Sequence, residues 1–302
     1  MKVLVVADDL TGAADCAAAS GLDAAVVLDD SRGLPAAEVV AIDGDTRRMD
    51  AASAAAETAR IVRAHPATIV YKKIDSTLRG HVREEIDAAL EAYRGMGHPG
   101  AEAVIAPAFP AMGRVTKGGR HYARGVPVEW SALPALCDAS SDEDLRAIVE
   151  KWKGRDVLWA GSAGLMAALT ASLPKPPPRA IPRVDGPILF AVGSYSERAR
   201  EQAAALRESG AASEAILVGE ARALAGEIAA RREPIGALAL TGGDTARAVL
   251  RAFGIAALHV LGEIETGVPV LMAEGPRPLV VVTKAGDFGD RGTLVRVHRR
   301  LS

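Results

Sequence analysis

Two adjacent carboxylates near the start of the chain could bind a polar ligand. Asp8 and Asp9 follow the apolar run Val3–Ala7 and precede Thr11 and Gly12. Two neighbouring carboxylates repel each other, so they need hydroxyl donors, a cation or a basic side chain nearby. Ligands of open α/β sheets bind beyond the carboxyl ends of the strands, so this position predicts a binding role. The alternative is that Asp9 or Thr11 only caps the following helix.

A second charged cluster lies at residues 72–80, again between a predicted strand and a predicted helix. Arg79 can bind a carboxylate through two parallel hydrogen bonds, which suits an acidic substrate. Asp75 can accept the proton of an attacking hydroxyl group. The alternative is that Asp75 caps a helix and the lysines are solvated. The cluster as a whole consists of Lys72, Lys73, Asp75, Ser76, Thr77 and Arg79.

Glycine-containing turns at residues 161–164, 193–196 and 241–245 each follow a predicted strand and open a helix. Glycine lets the backbone approach a phosphate, and a helix N-terminus offers N–H groups. None of the turns matches GxxxxGK[ST] or GxGxxG, but together they favour an anion or nucleotide site. In residues 284–289, Gly286 could admit a ligand and Phe288 could stack on a base; the alternative is a plain turn.

The Pro/Gly-rich segment Pro107–Pro127 is predicted to be a shaped loop, because its prolines and glycines fix turns and it contains Phe109 and Tyr122. Such a loop is either functional or an excursion at a sheet edge. The six histidines show no metal-ligand spacing. Cys16 and Cys137 form no CxxC pair, so neither a metal site nor a disulfide framework is predicted.

The apolar runs alternate with Ala-rich amphipathic stretches, which predicts an α/β fold with right-handed crossovers. We expect two domains, each with a mostly parallel sheet flanked by helices. The prolines of residues 174–187 cannot continue a helix or a central strand. They predict a stiff linker between a ligand-binding domain at 1–173 and a second domain at 188–302. From Ala257 onward the chain is predicted to be richer in strands.

The composition excludes several classes of protein. Hydrophobic residues make up 49% of the 302 residues and charged residues 25%, which is ordinary for a globular protein. The net charge of -2 argues against a nucleic-acid partner. The N-terminus has no secretory pattern and no apolar run reaches the length of a membrane span, so we expect no membrane partner and a cytoplasmic protein.

In combination, these motifs resemble the four-carbon acid-sugar kinases. The strings D-D-L-T-G-A at 8–13, K-K-I-D-S-T-L-R-G at 72–80, P-A-F-P with the following G-R-x-T at 107–116, and G-S-A-G-L at 161–165 are similar to the family's N-terminal domain. Residues 193–196, 242–245 and 284–289 resemble its C-terminal nucleotide-binding domain. The similarity spans nearly the whole chain in the right order.

The resemblance implies ATP-dependent phosphorylation of a four-carbon sugar acid, such as a 3-oxo-tetronate, threonate or erythronate, with Mg²⁺. A homodimer is compatible with it. The implied substrate-binding residues are Asp8, Asp9, Arg47 (or Arg48), Lys73, Asp75, Ser76 and Arg79, with Asp9, Asp75 and Arg79 as the catalytic residues. The implied nucleotide-binding residues are Ser194, Ser196, Gly242, Gly243, Asp244, Thr245, Gly286 and Asp287.

The chain also departs from the family pattern. Family members are roughly a hundred residues longer, and much of the deficit falls between Pro127 and Ser141. Asp244 stands where glutamate is common, and Asp287 stands where asparagine is common. One alternative is therefore a non-catalytic regulatory protein that binds a sugar acid and a nucleotide. Another is an aldolase or a dehydrogenase acting on the same acid, although the absence of GxGxxG counts against a dehydrogenase.

Overall fold

The computed structural model of the chain describes residues 1–129, 135–210, 215–231, 233–273 and 278–302. Tertiary contacts divide the chain into two compact units. The first holds Met1–Ala24 and Pro35–Pro176, and the second holds Ala25–Leu34 and Pro177–Ser302. Both are α/β, as predicted, whereas the domain limits at 173 and 188 stay a prediction. Trp130, within the segment where the chain is predicted to be shortened, lies outside the described residues.

The secondary structure alternates as the sequence indicates. The strands are β1 (Val3–Ala7), β2 (Ala24–Val27), β3 (Val39–Asp43), β4 (Ile69–Lys73), β5 (Glu102–Ala106), β6 (Arg114–Lys117), β7 (Arg120–Ala123), β8 (Val126–Pro127), β9 (Val157–Gly161), β10 (Ile188–Val192), β11 (Ile216–Val218), β12 (Ala237–Thr241), β13 (Ala257–Glu263), β14 (Pro269–Ala273) and β15 (Leu279–Lys284). The α-helices are α1 (Leu10–Ala19), α2 (Ala51–Ala64), α3 (Val82–Gly95), α4 (Asp142–Trp152), α5 (Ala163–Thr170), α6 (Glu197–Glu208), α7 (Ala221–Ala229), α8 (Gly243–Ala252) and α9 (Thr293–Leu301).

The first unit contains a parallel sheet with the strand order β3-β1-β4-β9-β5. Every residue of β1 and β3 is buried, as expected for a parallel sheet covered on both faces. Helix α2 packs against α3, and α1 and α4 pack against α5. Ala7 is in register with Asp43 on β3 and with Lys73 on β4. The segments that leave these three strands therefore emerge side by side.

The segment Pro107–Pro127 contains a small antiparallel sheet of β6, β7 and β8. It has a fixed shape, as predicted, but its strands were not predicted. They are only four, four and two residues long, too short for the alternation of polar and apolar residues to be recognised. Gly118 and Gly119 make the turn between β6 and β7 with φ of 58° and 72°, a region that favours glycine.

The second unit contains a mixed sheet with the order β11-β10-β12-β15-β14-β13-β2. The strands β11, β10, β12 and β15 are parallel. Strand β14 runs antiparallel to β15 and β13, and β13 runs antiparallel to β2. The strand-rich end of the chain is thus confirmed, but α9 follows it and was not predicted. Leu294, Val297 and Leu301 are buried on this helix at helical spacing, in one core with Phe190 and Leu206.

Side-chain capping sets the start of two helices in the first unit. Helix α1 begins at Leu10, because the Asp9 side chain accepts a hydrogen bond from the Gly12 amide. At the start of α4, Ser141 and Asp144 form the reciprocal capping box that their spacing predicts. Among the described residues, no helix combines the length and the apolar character that a membrane span requires.

Candidate active site

Arg47 connects three carboxylates at the carboxyl ends of β1 and β4. Its Nε lies 2.7 Å from Asp8 Oδ2, its Nη1 3.1 Å from Asp9 Oδ2, and its Nη2 3.3 Å from Asp75 Oδ2. Arg47 reaches them from the turn that follows β3, the other neighbour of β1. The structure therefore brings together Arg47 and the three predicted carboxylates. Arg48, the alternative to Arg47, is exposed.

Asp75 is held by the loop that follows it. Its Oδ1 accepts hydrogen bonds from the amide and the hydroxyl of Thr77, and its Oδ2 accepts one from Arg79 Nη2 at 2.6 Å. The Asp75 side chain is 8% exposed, whereas that of Arg79 is 61% exposed. Burial alone would raise the pKa of Asp75, but the Arg79 hydrogen bond and the Arg47 charge outweigh it and hold the pKa well below its usual value. Asp75 is therefore ionised at neutral pH.

Asp8 and Asp9 differ in their surroundings. Asp9 is the N-cap of α1, with Oδ1 accepting from the Gly12 amide and Oδ2 from the Thr11 hydroxyl. Asp9 therefore caps α1, but the same carboxylate also pairs with Arg47, so capping is not its only contact. Asp8 is 3% exposed, and its Oδ1 has no hydrogen-bond partner among the residues that the structure describes. A buried carboxylate oxygen in this condition is suited to accept from a ligand hydroxyl.

Burial of the Arg47 guanidinium would lower its pKa, but the charges of Asp9, Asp8 and Asp75 raise the pKa above its usual value. Arg47 is consequently a permanent cation among three carboxylates. Lys73 adds a further buried amine, with its Nζ 2.9 Å from the carbonyl of Ile74. The basic side chains of the cluster therefore offset most of the negative charge of its three carboxylates.

Gly12 gives this cluster its close packing. A Cβ atom at Gly12 would lie 2.6 Å from Asp9 Oδ1 and 2.9 Å from Lys73 Nζ. Such distances are shorter than van der Waals contact, so a larger residue would displace one of the two charged groups. The glycine of the D-D-L-T-G-A motif is therefore required for close packing.

Two buried polar links support the cluster, and neither was predicted. Lys72 Nζ lies 2.5 Å from Glu85 Oε2, which ties β4 to α3. His121 of the small sheet bonds through Nε2 to the carbonyl of Ser76 at 2.8 Å and through Nδ1 to the hydroxyl of Thr116 at 2.9 Å. A carbonyl can only accept, so the network assigns the proton to Nε2, and burial lowers the pKa of His121. The small sheet thereby holds the loop that carries Ser76.

The turn Gly161–Gly164 has a packing role. The Ser162 hydroxyl donates to the carbonyl of Ala108 at 2.6 Å. A Cβ at Gly161 would lie 2.5 Å from the carbonyl oxygen of Ala106, and one at Gly164 would lie 2.9 Å from that of Ala108. These glycines allow α5 to pack closely against the segment after β5. This packing explains the glycines without a role in binding an anion.

In the second unit, three glycine turns follow the adjacent parallel strands β10, β12 and β15. The Gly193 amide donates to the carbonyl of Thr241 at 3.2 Å, and the Gly242 amide donates to that of Lys284 at 2.8 Å. Gly242 has φ of 100°, which favours glycine. The structure thus brings the three predicted nucleotide turns to one end of one sheet.

Side chains of the first and second turns occupy the space beside Gly193 and Gly286. A Cβ at Gly193 would lie 1.9 Å from Thr245 Oγ1, and one at Gly286 would lie 1.9 Å from Ser194 Oγ. Ser196 caps α6 and donates to the carbonyl of Gly286 at 2.9 Å. Helix α8 begins at Gly243, which puts Asp244 and Thr245 in its first turn. All eight predicted nucleotide residues therefore lie in these three turns: Ser194, Ser196, Gly242, Gly243, Asp244, Thr245, Gly286 and Asp287.

Phe288 does not have the exposed ring that the predicted stacking on a base would require. Its side chain is buried, and a Cβ at Gly267 would lie 2.4 Å from its ring. The ring is therefore packed beneath the turn of Gly267 and does not offer a face to a ligand. Tyr195 is an exposed aromatic residue between Ser194 and Ser196.

Glu263, at the end of β13, is expected to make stability depend on pH. Burial raises its pKa to about 7, although its Oε1 accepts from the Gly267 amide at 3.1 Å. The folded state binds a proton that the unfolded state has released, so stability should fall as pH rises from about 4.5 to about 7. Glu263→Gln should remove this slope and raise the free energy of unfolding at pH 8 by about 1–2 kcal/mol. This is less than the full pKa shift implies, because the side chain is partly exposed and solvent screens its charge.

Thermal unfolding followed by circular dichroism between pH 4.5 and 8 would measure this effect. Glu227→Gln is the control, because Glu227 is on α7 with its side chain 55% exposed. An unchanged pH slope in Glu263→Gln would contradict the assignment.

Comparison with known families identifies both halves of the chain. A family described as a sugar-binding N-terminal domain matches residues 3–135, and one described as a nucleotide-binding C-terminal domain matches residues 209–294. The chain is 33% identical to a D-threonate kinase of Cupriavidus necator, with 97% of this chain and 96% of the relative covered. It is 30% identical to a D-threonate kinase of Bordetella bronchiseptica (98% and 96%). It is also 30% identical to a 3-oxo-tetronate kinase of Methylobacterium radiotolerans (67% and 47%).

Solved structures agree with the fold. A Salmonella typhimurium protein described as a putative tRNA synthase superposes with a TM-score of 0.78 at 20% identity, with both chains covered completely. A Bordetella bronchiseptica protein with bound citrate, a domain-swapped dimer, superposes with a TM-score of 0.50 at 28% identity over 99% of this chain and 98% of that one. The alignment with the Cupriavidus kinase runs over 407 positions, more than the 302 residues of this chain, so that relative carries segments that this chain lacks.

Proposed function

Because the chain is a kinase of the four-carbon acid-sugar kinase family, we propose that it transfers the γ-phosphoryl group of ATP to a hydroxyl of a four-carbon sugar acid, with D-threonate as the first candidate. Two relatives aligned over nearly their full length, from Cupriavidus necator and Bordetella bronchiseptica, are D-threonate kinases. 3-Oxo-tetronate is the second candidate, because the 3-oxo-tetronate kinase is aligned over only 47% of its length.

The observation that carries this proposal is the charged cluster of the first unit. A sugar acid has one carboxylate and several hydroxyls, so its site needs an exposed cation beside hydroxyl acceptors. Arg79 is the exposed cation, and we assign it to the substrate carboxylate. Asp8 Oδ1 is the buried acceptor without a partner among the described residues, and we assign it to a hydroxyl.

Asp75 and Asp9 are the candidates for the proton acceptor, since phosphoryl transfer needs alignment, charge neutralisation and a late proton transfer. The attacking hydroxyl becomes strongly acidic once the P–O bond forms. A carboxylate with a low pKa, such as Asp75, is then basic enough to take the proton. Its anionic state before that point would orient the hydroxyl.

The glycine turns of the second unit are the proposed ATP site, with Asp244 and Asp287 beside them. No group of three acidic, His or Cys side chains in the described ranges could hold a metal ion alone. Mg²⁺ is commonly bound by one or two carboxylates together with substrate phosphates, so the residues present fit a cation that arrives with ATP. When bound, the cation would neutralise phosphate charge, and Asp244 and Asp287 are its proposed holders.

ADP release from ATP with Mg²⁺ should be measured with D-threonate, D-erythronate and 3-oxo-tetronate. We expect release with at least one acid and a thermal shift with ATP and Mg²⁺ alone, since a bound ligand stabilises by mass action. ATP binding without release on any acid would favour the regulatory protein, which the segments absent from this chain make worth testing. No response to ATP would refute the proposed kinase activity.

We also propose a homodimer, which the domain-swapped dimer of the Bordetella protein supports. Light scattering coupled to size exclusion should give twice the mass of one 31.3 kDa chain. A mass of one chain at micromolar concentration would contradict this.

A further inference from the structure

The loop at residues 285–290, after β15, has its carbonyl groups drawn inward by a buried lysine. Lys284 Nζ lies 2.7 Å from the carbonyl oxygen of Ala285, 3.3 Å from that of Gly286 and 3.1 Å from that of Phe288. Lys284 is 2% exposed. An ammonium group has three hydrogen-bond donors, and each is directed at one carbonyl of this loop.

Two more side chains, one on α6 and one at its N-cap, complete the set of donors. Gln202 Nε2 donates to the carbonyls of Phe288 and Asp290 at 3.0 Å and 2.8 Å. The hydroxyl of Ser196 donates to the carbonyl of Gly286. Four carbonyls of the loop at residues 285–290 thus bond to the side chains of Lys284 and Gln202 or to Ser196, the N-cap of α6.

The direction of the carbonyls determines the direction of the amides. In a planar trans peptide, the C=O of one residue and the N–H of the next point to opposite sides. The described chain contains no cis peptide bond. Because the carbonyls of Ala285, Gly286 and Phe288 face Lys284, the N–H groups of the next residues point away from it. These are the amides of Gly286, Asp287 and Gly289.

Backbone amides that point outward from one short loop form an anion-binding concavity. We infer that Lys284 is the positioning residue that shapes this loop for the phosphates of the nucleotide, by holding three carbonyls inward so that the amides of Gly286, Asp287 and Gly289 face the ligand. This inference rests on the proposed nucleotide site. The lysine itself does not contact the nucleotide.

Lysine fits this role better than arginine does. Three carbonyls converge on one nitrogen, and the three donors of an ammonium diverge from a single point. The donors of arginine lie in one plane and are spread over a wider fork, so Lys284→Arg should keep the charge without the geometry. A residue without donors would leave several buried carbonyls without a partner. The peptide groups of the loop would then rotate, and the amides would no longer face the ligand.

The first test compares Lys284→Met with the natural protein in the binding of ATP and Mg²⁺. We expect affinity to fall about tenfold or more and KM for ATP to rise by a similar factor, with a smaller change in kcat. Lys153→Met is the matched control, because Lys153 is exposed and pairs with Glu150 in the first unit. Hydrogen exchange of the amides at 285–290 should become faster in Lys284→Met alone.

Chemical rescue distinguishes a positioning role from simple packing. In Lys284→Ala, ammonium or methylammonium ions should restore at least half of the lost affinity on a logarithmic scale. Tetramethylammonium has the same charge and no N–H donor, so it should restore nothing. If the Lys284 variants do not fold, Gln202→Met removes the second donor set, and we expect a smaller loss of affinity together with faster exchange in the loop.

The pH dependence gives an independent readout. Burial lowers the pKa of Lys284 to about 8, although the negative charges of Asp287 and Glu265 favour the ammonium; the positive charge of Arg198 opposes it. ATP affinity should therefore fall as pH rises through about 8, beyond any change seen in Lys284→Arg.

Two outcomes would overturn the inference, and they differ from failure of the proposed function. Lys284→Met that binds ATP within twofold of the natural protein would show that the lysine does not shape the site. Equal rescue by tetramethylammonium would show that charge or volume alone matters. If the natural protein itself does not bind ATP, the proposed nucleotide site fails first, and this inference fails with it.

Discussion

Replacing Asp75 with asparagine is expected to reduce kcat about 100-fold or more while ATP binding is retained. The variant keeps an oxygen that can accept from the Thr77 amide, so the loop should keep its shape. It loses the negative charge that pairs with Arg79 and Arg47. It also loses the proposed proton acceptor, so both the orientation of the hydroxyl and the late proton transfer should suffer.

ADP release at saturating acid and ATP would measure the loss of turnover, and the ATP-induced thermal shift would report nucleotide binding. Asp87→Asn is the matched control, because Asp87 lies on α3 with its side chain 57% exposed and pairs with Arg83. Turnover of Asp75→Asn within threefold of the natural protein would exclude Asp75 as the acceptor and leave Asp9 as the candidate.

Gly286→Ala is the second change with a large expected effect, this time on the nucleotide site. The new Cβ would lie 1.9 Å from Ser194 Oγ and 2.6 Å from Ser194 Cβ. Both distances are far inside van der Waals contact, so either the loop after β15 or the turn after β10 must move. We expect ATP affinity to fall about 100-fold, because phosphate recognition requires positions accurate to a fraction of an ångström.

The matched control is Gly226→Ala, since a Cβ at Gly226 within α7 would meet nothing within 4 Å. That change should leave ATP affinity unaltered and stabilise the helix by about 0.5–1 kcal/mol. The double variant Gly286→Ala with Ser194→Gly removes the clash. It should recover part of the affinity, whereas a single variant with unaltered affinity would show that the turns can separate without loss.

The sequence predicted the parts of the fold that depend on local pattern. Strand β1 has the limits of the apolar run Val3–Ala7, and α6 opens at the turn of residues 193–196, where Ser196 caps it. Helix α9 was missed although Leu294, Val297 and Leu301 have helical spacing, because the chain from Ala257 onward was predicted only to be richer in strands. The short strands β6 to β8 carry too little pattern to be recognised, and only pairing across the turn defines them.

The candidate site was predictable in its residue types but not in its contacts. Arg47 is 39 residues from Asp8 in the chain, and no local pattern specifies that pair. The resemblance to a family suggested it, and the register of β1 with its neighbours explains it. Lys284 belongs to the predicted motif at 284–289, but its three carbonyl partners depend on the path of the loop. The Gly161–Gly164 turn has a phosphate-like pattern and serves packing.

The membership of Ala25–Leu34 in the second unit bears on how the protein must be synthesised. Val27 pairs with Ala257, so β2 leaves the ribosome long before its partner strand exists. During that interval the hydrogen-bonding groups of β2 on this side cannot be satisfied by native contacts, and such late, non-local pairing is slow to form. A fragment that starts at Pro177 would leave the β13 edge exposed, so the nucleotide half is expected to aggregate when produced separately.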